Sequence, residues 1–345
     1  MSLELSLRLI APALLALAVA FGMDRMCEAR GLLPPGFREP WRRSLAAALV
    51  ALVLWIGAFA SLGSAGQGVE PDLSQLTTPQ LFLLHGLLVL TLVCWFLLGF
   101  GGVRPSPPSP LPLPRARPPR ERGATALPEY SESDNEGYLA VPPSPGEGVL
   151  GGAGEGGQGS EGLFRQFLAQ FGFVAPNVPR EIGIGLLLGI GAWGAVLIAA
   201  LAVGLVIYSI AGEDALPKQP PALIPWIAAL PIGVRLLISL SAGVVEETFF
   251  RGFLQPRIGI FFSTLLFVAA HFSYGQPFML VGIATLSLIY AFLVRWRQNI
   301  WPAMAAHALF DSVQLLVVIP AALEMLDKQG GRAASSILGA LGMGN

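Results

Sequence analysis

The sequence predicts an all-α, polytopic integral membrane protein, a helical bundle of about eight transmembrane helices. Of its 345 residues, 54% are hydrophobic and only 12% are charged, which is about half the charged fraction of soluble globular chains. The mean hydropathy is +0.65, and apolar runs of about 20 residues, long enough to span a bilayer, recur along the chain. Because lipid offers no partner to backbone N–H and C=O groups, we expect each run to be a helix.

Three apolar runs come first, a fourth follows a long polar stretch, and four more complete the bundle. An alternative interpretation of the first run is a cleaved signal peptide, because Ala18-Val19-Ala20 fits a small-x-small cleavage pattern. Glu4 and the further hydrophobic spans favour a retained anchor. The eight predicted spans are Leu5–Met23, Ser44–Leu62, Pro79–Phe100, Ile182–Ile210, Ile232–Phe250, Ile258–Phe272, Phe278–Val294 and Ile300–Leu323.

Changes in composition divide the chain into five parts. Between Gly101 and Gly162 the sequence becomes Pro-rich, then acidic, then Gly-rich, a composition that buries too little apolar surface to offset the entropy of ordering. After it, leucine and phenylalanine recur at helical spacing, which predicts an amphipathic interfacial helix. We predict an N-terminal three-span region (1–103), a disordered linker (104–162), an interfacial segment (163–180), a membrane domain (181–323) and a C-terminal tail (324–345).

The basic residues predict the orientation in the membrane. The loop from Gly63 to Thr78 has no Lys or Arg, whereas the first loop and the start of the linker are rich in arginine, and short loops with excess Lys and Arg stay in the cytoplasm. We therefore expect a multi-pass protein of the cell (inner) membrane whose linker and catalytic mouth face the cytoplasm. Alternation of the spans places further arginines on the same side, namely Arg251, Arg257, Arg295 and Arg297.

Charge and cysteine content exclude some functions. The net charge of −1 provides no basic field for nucleic acid, so the expected partners are the lipid bilayer and a peptide or membrane-protein substrate. Cys27 and Cys94, the two cysteines of the chain, do not suggest a disulfide framework or a cysteine-based zinc site.

The later spans carry a cluster of ionisable residues, which are costly in a membrane, at about 2.5–3.5 kcal/mol each, and mark functional sites. Glu247 and Arg251 are four residues apart and share a helix face, so they can pair. Glu246 points about 100° away and is left for other chemistry.

Two of the three histidines lie in the spans that follow. Phe267 precedes His271 by four residues, and His307 precedes Asp311 by the same interval. A carboxylate in a poorly solvated cavity can act as a general base toward water, while imidazoles can bind a metal or donate to an oxyanion. This combination is typical of a hydrolase.

At these residues the chain resembles the CPBP family of intramembrane metalloproteases, which includes CAAX prenyl protease 2, lysostaphin resistance protein A-like and Abi proteins. Three elements in order carry the resemblance, each at the end of a membrane span, and it covers roughly residues 221–320. They are Glu246-Glu247-x-x-x-Arg251, Phe267-x-x-x-His271 and His307-x-x-x-Asp311, with Gly252-Phe253-Leu254-Gln255 and Asn299-Ile300-Trp301-Pro302 also similar to family usage.

The resemblance implies an endopeptidase in which Glu246 activates the attacking water. Glu247 and Arg251 would hold the helix end, His271 would support the water or a metal, and His307 with Asp311 would stabilise the oxyanion or complete a metal shell. A Zn²⁺ ion bound by Glu246, His271 and His307 is one option. Phe267 is expected to pack against the site. The family often has Asn at the position of Asp311, so the role of that residue stays open between hydrogen-bond donor and metal ligand or acceptor.

Other interpretations accompany this one. The chain could be a catalytically idle scaffold or immunity-type protein of the same fold, or a transporter, against which the lack of an internal repeat counts. We treat His85 as a packing residue that is satisfied by a neighbouring helix, and Arg235 as snorkelling or paired with Glu213 or Asp214. One geometric difficulty concerns depth. At 1.5 Å per residue His271 lies about 20 Å beyond Arg257, which is deeper than Glu246 unless the segment from Gly252 to Gly259 dips into the membrane.

Overall fold

The computed structural model describes residues 3–59, 77–101, 160–212, 215, 223–272 and 277–328; most of these residues are helical, and they contain no strand. The all-α prediction is confirmed. Most of the predicted linker, the acidic loop after the second span and residues 329–345 lie outside this part of the chain. The main helices are α1 (Leu3–Ala29), α2 (Pro40–Leu54), α3 (Leu83–Phe100), α4 (Ser160–Gln170), α5 (Val178–Ala211), α6 (Leu223–Ala229), α7 (Ile232–Ser241), α8 (Gln255–Ala270), α9 (Pro277–Arg297) and α10 (Trp301–Val313).

Proline and polar caps fix where several helices begin. Pro40 and Pro302 occupy the first turns of α2 and α10, where a missing N–H costs nothing because that donor has no partner within the helix. Asn177 caps α5 by accepting a hydrogen bond from the Arg180 N–H at 3.1 Å. Short helical turns at Pro35–Arg38 and Thr78–Leu81 precede α2 and α3.

Wider π-helical segments extend three of the helices. They are Trp55–Phe59 after α2, Ala242–Glu246 and Thr248–Leu254 between α7 and α8, and Gln314–Val318 after α10.

Seven helical stretches among the described residues are long and apolar enough to cross a membrane, whereas the sequence predicted about eight. The difference arises at the predicted spans Ile232–Phe250 and Ile258–Phe272, which form one stretch of 39 residues, Ile232–Ala270. A straight helix of that length would measure about 58 Å, nearly twice the hydrocarbon thickness. Gly259, with φ 83° and ψ 170°, breaks the stretch and folds it into two arms, which we call the Gly259 hairpin.

Contacts between residues far apart in sequence show that the two arms lie side by side. The Ser263 hydroxyl donates to the Phe250 carbonyl at 2.7 Å. The rings of Phe250 and Phe267 are 5.0 Å apart. Gly259 supplies a positive φ that L-residues with a side chain rarely adopt, so the turn depends on this glycine.

The N-terminal helices α1–α3 pack against the Gly259 hairpin through a buried apolar cluster. Trp95 contacts Phe253 edge to face at 5.0 Å, and the Arg257 guanidinium lies 4.4 Å from the Trp95 ring. Phe171, fully buried just after α4, joins the same group of rings. The predicted amphipathic helix is thus present, and its C-terminal end is covered by the protein.

Glycines bring α10 close to its neighbours. A Cβ at Gly243 would lie 2.8 Å from the Met304 carbonyl, and one at Gly185 of α5 would clash with the Pro302 carbonyl. Small residues at such crossings let membrane helices approach backbone to backbone. Because α10 carries His307, these glycines set the position of that side chain.

The predicted basic loops come together at one end of the bundle. Arg30 donates to the Arg257 carbonyl at 3.1 Å, Arg42 donates to the Gly101 carbonyl at 2.8 Å, and Arg297 forms an ion pair with Glu181. Which side of the membrane this end faces stays a prediction. Arg235 donates to the Leu315 carbonyl at 2.9 Å, while its predicted acidic partners lie outside the described residues.

Candidate active site

Glu246 and Glu247 lie at the junction of two π-helical segments, Ala242–Glu246 and Thr248–Leu254. Such turns are rare and are often found at functional sites, because the wider helix redirects side chains. The two carboxylates point in different directions and meet different partners, as their adjacent positions predicted.

Glu247 is completely buried and held by a cation. Arg251, with 1% of its side chain exposed, donates from Nη1 to Glu247 Oε1 at 2.9 Å. Its Nη2 donates to the Ser287 hydroxyl at 3.1 Å, and its guanidinium carbon lies 4.2 Å from the centre of the Phe267 ring. The predicted pairing of Glu247 with Arg251 is therefore present, as part of a larger buried network.

His307 extends this network from α10. Its Nδ1 lies 2.8 Å from Glu247 Oε1, and because a carboxylate can only accept, Nδ1 is the protonated nitrogen. Its Nε2 lies 3.3 Å from Asp311 Oδ2, so this second contact needs a proton on either the imidazole or the carboxyl group. The Tyr290 ring stacks on the imidazole at 5.1 Å.

Glu246 has a more open environment. Its Oε1 lies 3.4 Å from His85 Nε2, and its Oε2 lies 3.9 Å from His271 Nε2. Its side chain is 15% exposed, and Oε2 is buried without a hydrogen bond from the described residues. His271 Nδ1 donates to the Phe267 carbonyl at 2.7 Å, so a neutral His271 presents the lone pair of Nε2 to Glu246.

The Gly259 hairpin explains why Glu246 and His271 reach the same depth. Glu246 lies thirteen residues before Gly259 and His271 twelve residues after it, so at 1.5 Å per residue both arms measure about 18–20 Å. The possible mismatch in depth does not arise, because the segment from Gly252 to Gly259 continues the first arm and the chain reverses only at Gly259.

The structure thus brings the predicted residues into two adjoining groups. The first group consists of Glu247, Arg251, His307 and Asp311. The second consists of Glu246 and His271. Phe267 contacts both groups. Sequence reasoning missed Ser287 and Tyr290, although their three-residue spacing within an apolar run places both on one helix face. His85 does have a partner on a neighbouring helical segment, but sequence reasoning missed that this partner is Glu246.

The predicted zinc ligands Glu246, His271 and His307 do not converge. Both nitrogens of His307 face other carboxylates, those of Glu247 and Asp311. Within the described part of the chain, no three or more His, Cys, Asp and Glu side chains are grouped so that they could hold a metal ion. This arrangement does not fit the zinc option, and we derive no step through a metal.

Known proteins resemble the part of the chain that carries this site. Residues 228–313 match the family model described as type II CAAX prenyl endopeptidase Rce1-like, which supports the resemblance to CPBP membrane proteases. A protein of Bacillus subtilis (strain 168), described as uncharacterized protein YpbD, is 32% identical over 79 residues, and the matched part is 23% of this chain and 42% of that relative. The chain therefore covers less than half the length of this relative. No solved structure matches the chain.

Proposed function

We propose that this chain, whose residues 228–313 form an Rce1-like domain of the CPBP membrane-protease family, is an intramembrane endopeptidase. It would hydrolyse peptide bonds of membrane-associated or C-terminal-tail substrates, with Glu246 as the general base. One observation carries the proposal, namely that a carboxylate oxygen inside a membrane span, Glu246 Oε2, has no hydrogen bond from the described residues and faces an imidazole nitrogen.

A water molecule fits the geometry between these two groups. Glu246 Oε2 and His271 Nε2 are both acceptors and lie 3.9 Å apart, too far for a direct hydrogen bond. A water about 2.8 Å from each would donate one hydrogen to each, with an angle of about 90° at its oxygen, so that both hydrogen bonds are only slightly bent. The pair thus binds the nucleophile and aligns one of its protons with the base.

The proposed reaction then follows in two proton transfers. Glu246 Oε2 takes a proton from the water as the water oxygen bonds to the scissile carbonyl carbon. The tetrahedral intermediate collapses with cleavage of the C–N bond, and Glu246 returns the proton to the leaving amine. The products are a carboxylic acid and an amine, and Glu246 ends as it began.

The second group would stabilise the negative charge that develops on the carbonyl oxygen. Glu247 fixes the tautomer of His307 by accepting from Nδ1 at 2.8 Å, so any proton offered from this pair lies at Nε2 or on Asp311. Donors whose direction is fixed before the reaction stabilise an oxyanion most effectively. Arg251 balances the charge of Glu247, so that the network stays in place without taking part in the chemistry.

The test compares the full-length protein with its Glu246→Gln variant, an isosteric change that removes the base. Fragments of membrane proteins would be quantified by mass spectrometry in cells, and purified protein would be assayed on a fluorogenic peptide with a prenylated CAAX C-terminus. The matched control is Glu324→Gln, since Glu324 is exposed and pairs with Lys328. We expect Glu246→Gln to lose activity by about 10²–10⁴-fold with an unchanged amount of protein in the membrane.

Equal cleavage by the wild type and Glu246→Gln would rule out the glutamate-base mechanism. If neither assay finds any cleavage that depends on Glu246, the alternative of a catalytically idle membrane scaffold or immunity-type protein replaces the proposal.

A further inference from the structure

His85 comes from a part of the chain that the family model does not cover. It lies in α3, in the N-terminal region, whereas the match to the Rce1-like model begins at residue 228. Yet its Nε2 lies 3.4 Å from Glu246 Oε1, and both side chains are 15% exposed. A residue 161 positions away in sequence thus contacts the proposed base directly.

The contact has a defined polarity. An ionised carboxylate can only accept, so the Nε2–H of His85 donates to Oε1. This bond leaves Oε2 as the oxygen that faces His271 and the proposed water. A hydrogen bond on one carboxylate oxygen restricts rotation of the group, which keeps the other oxygen aligned with its target.

Packing holds α3 against both the segment after α2 and the hairpin. A Cβ on Gly57, in the π-helical segment after α2, would lie 3.3 Å from the Leu84 side chain. Further along α3, Trp95 contacts Phe253 and Arg257. The position of His85 is therefore set by the same surface that joins α1–α3 to the Gly259 hairpin.

From these contacts we infer that the N-terminal region completes the catalytic site, with His85 as a positioning residue that fixes Glu246 Oε1 so that Oε2 can accept the proton of the water. The inference rests on the proposed function. On this inference the N-terminal region is more than a membrane anchor, because the Rce1-like segment alone lacks the Nε2–H donor of His85. Because His85 would act through the base and not on the substrate, its effect should appear in turnover and not in substrate binding.

The experiment replaces His85 in the full-length chain by Gln, Asn and Leu. The amide nitrogen of Gln reaches about as far as Nε2 of histidine and can donate, whereas that of Asn is too short and Leu has no donor. We expect Leu and Asn to lower kcat by about 10- to 100-fold, as for loss of a hydrogen bond to a charged group, with KM within about twofold of the wild type. His85→Gln should retain most of the activity.

Two controls separate positioning from folding. Arg30→Gln removes another link between the N-terminal region and the hairpin, the bond to the Arg257 carbonyl, and should leave kcat unchanged per folded molecule. A double-mutant cycle with His85→Leu and Glu246→Ala, measured by thermal unfolding of the purified protein, needs no substrate. We expect the fall in melting temperature of the double variant to differ from the sum of the two single falls by about 2–4 °C. In a second cycle, of His85→Leu with Asp311→Asn, the two falls should add.

The outcomes distinguish this inference from the function on which it rests. If Glu246→Gln abolishes cleavage while His85→Leu keeps the wild-type kcat, only the role of His85 is overturned. The same holds if Gln and Leu at position 85 are equally impaired, or if Arg30→Gln reproduces their loss. If Glu246→Gln cleaves normally, the proposed function and the inference both fail, and an additive cycle overturns the hydrogen bond itself.

Discussion

Arg251→Ala should destabilise the protein more than any other single change in the buried network. The guanidinium is 1% exposed and is the cation next to Glu247. After its removal Glu247 would still accept from His307 Nδ1 at 2.8 Å, but its buried charge would lose the guanidinium that is paired with it. We therefore expect lower abundance as well as lower activity.

The magnitude follows from the partners that are lost. Leaving one charge of a buried pair uncompensated costs about 3–5 kcal/mol. The variant also loses the hydrogen bond to the Ser287 hydroxyl at 3.1 Å and the contact with the Phe267 ring. An uncompensated loss of 3–5 kcal/mol is a large part of the free energy of unfolding of an ordinary domain, so we expect little folded protein.

The double variant Arg251→Met/Glu247→Gln tests this reasoning. It removes both charges at similar volume, and the amide oxygen of Gln still accepts from His307, so most of the stability should return. Thermal unfolding in detergent and the amount of protein in the membrane would measure the effect, with Arg251→Lys as an intermediate case. The reasoning is refuted if Arg251→Ala unfolds at the wild-type temperature, or if the double variant is as unstable as the single one.

Two further predictions concern the geometry around the base. If residue 311 donates to the oxyanion, Asp311→Asn should keep or raise the cleavage rate and reduce the loss of activity at alkaline pH, since an ionised carboxylate would repel the developing charge. The cleavage rate of both proteins would be measured across a range of pH. A rate that is tenfold or more lower in Asp311→Asn would instead indicate that Asp311 is an acceptor. Gly259→Ala should cost about 1–3 kcal/mol in backbone strain, because φ 83° with ψ 170° is a conformation that essentially only glycine adopts, and it should lower kcat by misaligning His271 with Glu246. Gly233→Ala, in an unobstructed helical position, is its control, and equal melting temperatures and kcat for the two variants would contradict the hairpin argument.

Spacing within single helices predicted the local pairs of the site. Glu247 with Arg251, Phe267 with His271 and His307 with Asp311 each lie four residues apart, and each pair is in contact in the structure. Such contacts depend only on the helical repeat. The apolar runs likewise predicted the helices, because their backbone must be satisfied internally in lipid.

Contacts between helices could not be read from spacing. The hydrogen bond between His307 and Glu247 depends on how closely α10 approaches, which glycines such as Gly243 decide. The equal depth of Glu246 and His271 depends on one positive φ, at Gly259. The contact of His85 with Glu246 was missed because a single histidine in an apolar run has no partner in the local sequence, although ionisable residues in membrane spans usually have a function.

Adjacent glutamates on one helix solve two conflicting requirements of a base in a membrane. A carboxylate that is stable in such a place needs a cation and several donors, and Glu247 has Arg251 and His307 on one oxygen. A carboxylate that accepts a proton from water needs an oxygen that the water can reach. Among the described residues Oε2 makes no hydrogen bond in either glutamate, but the Glu246 side chain is 15% exposed and its Oε2 faces His271, whereas the Glu247 side chain is fully buried. Were the two residues four positions apart, they would share a face and compete for the same arginine. Because they are consecutive, Glu247 holds the buried network, and Glu246 is left for the proposed chemistry.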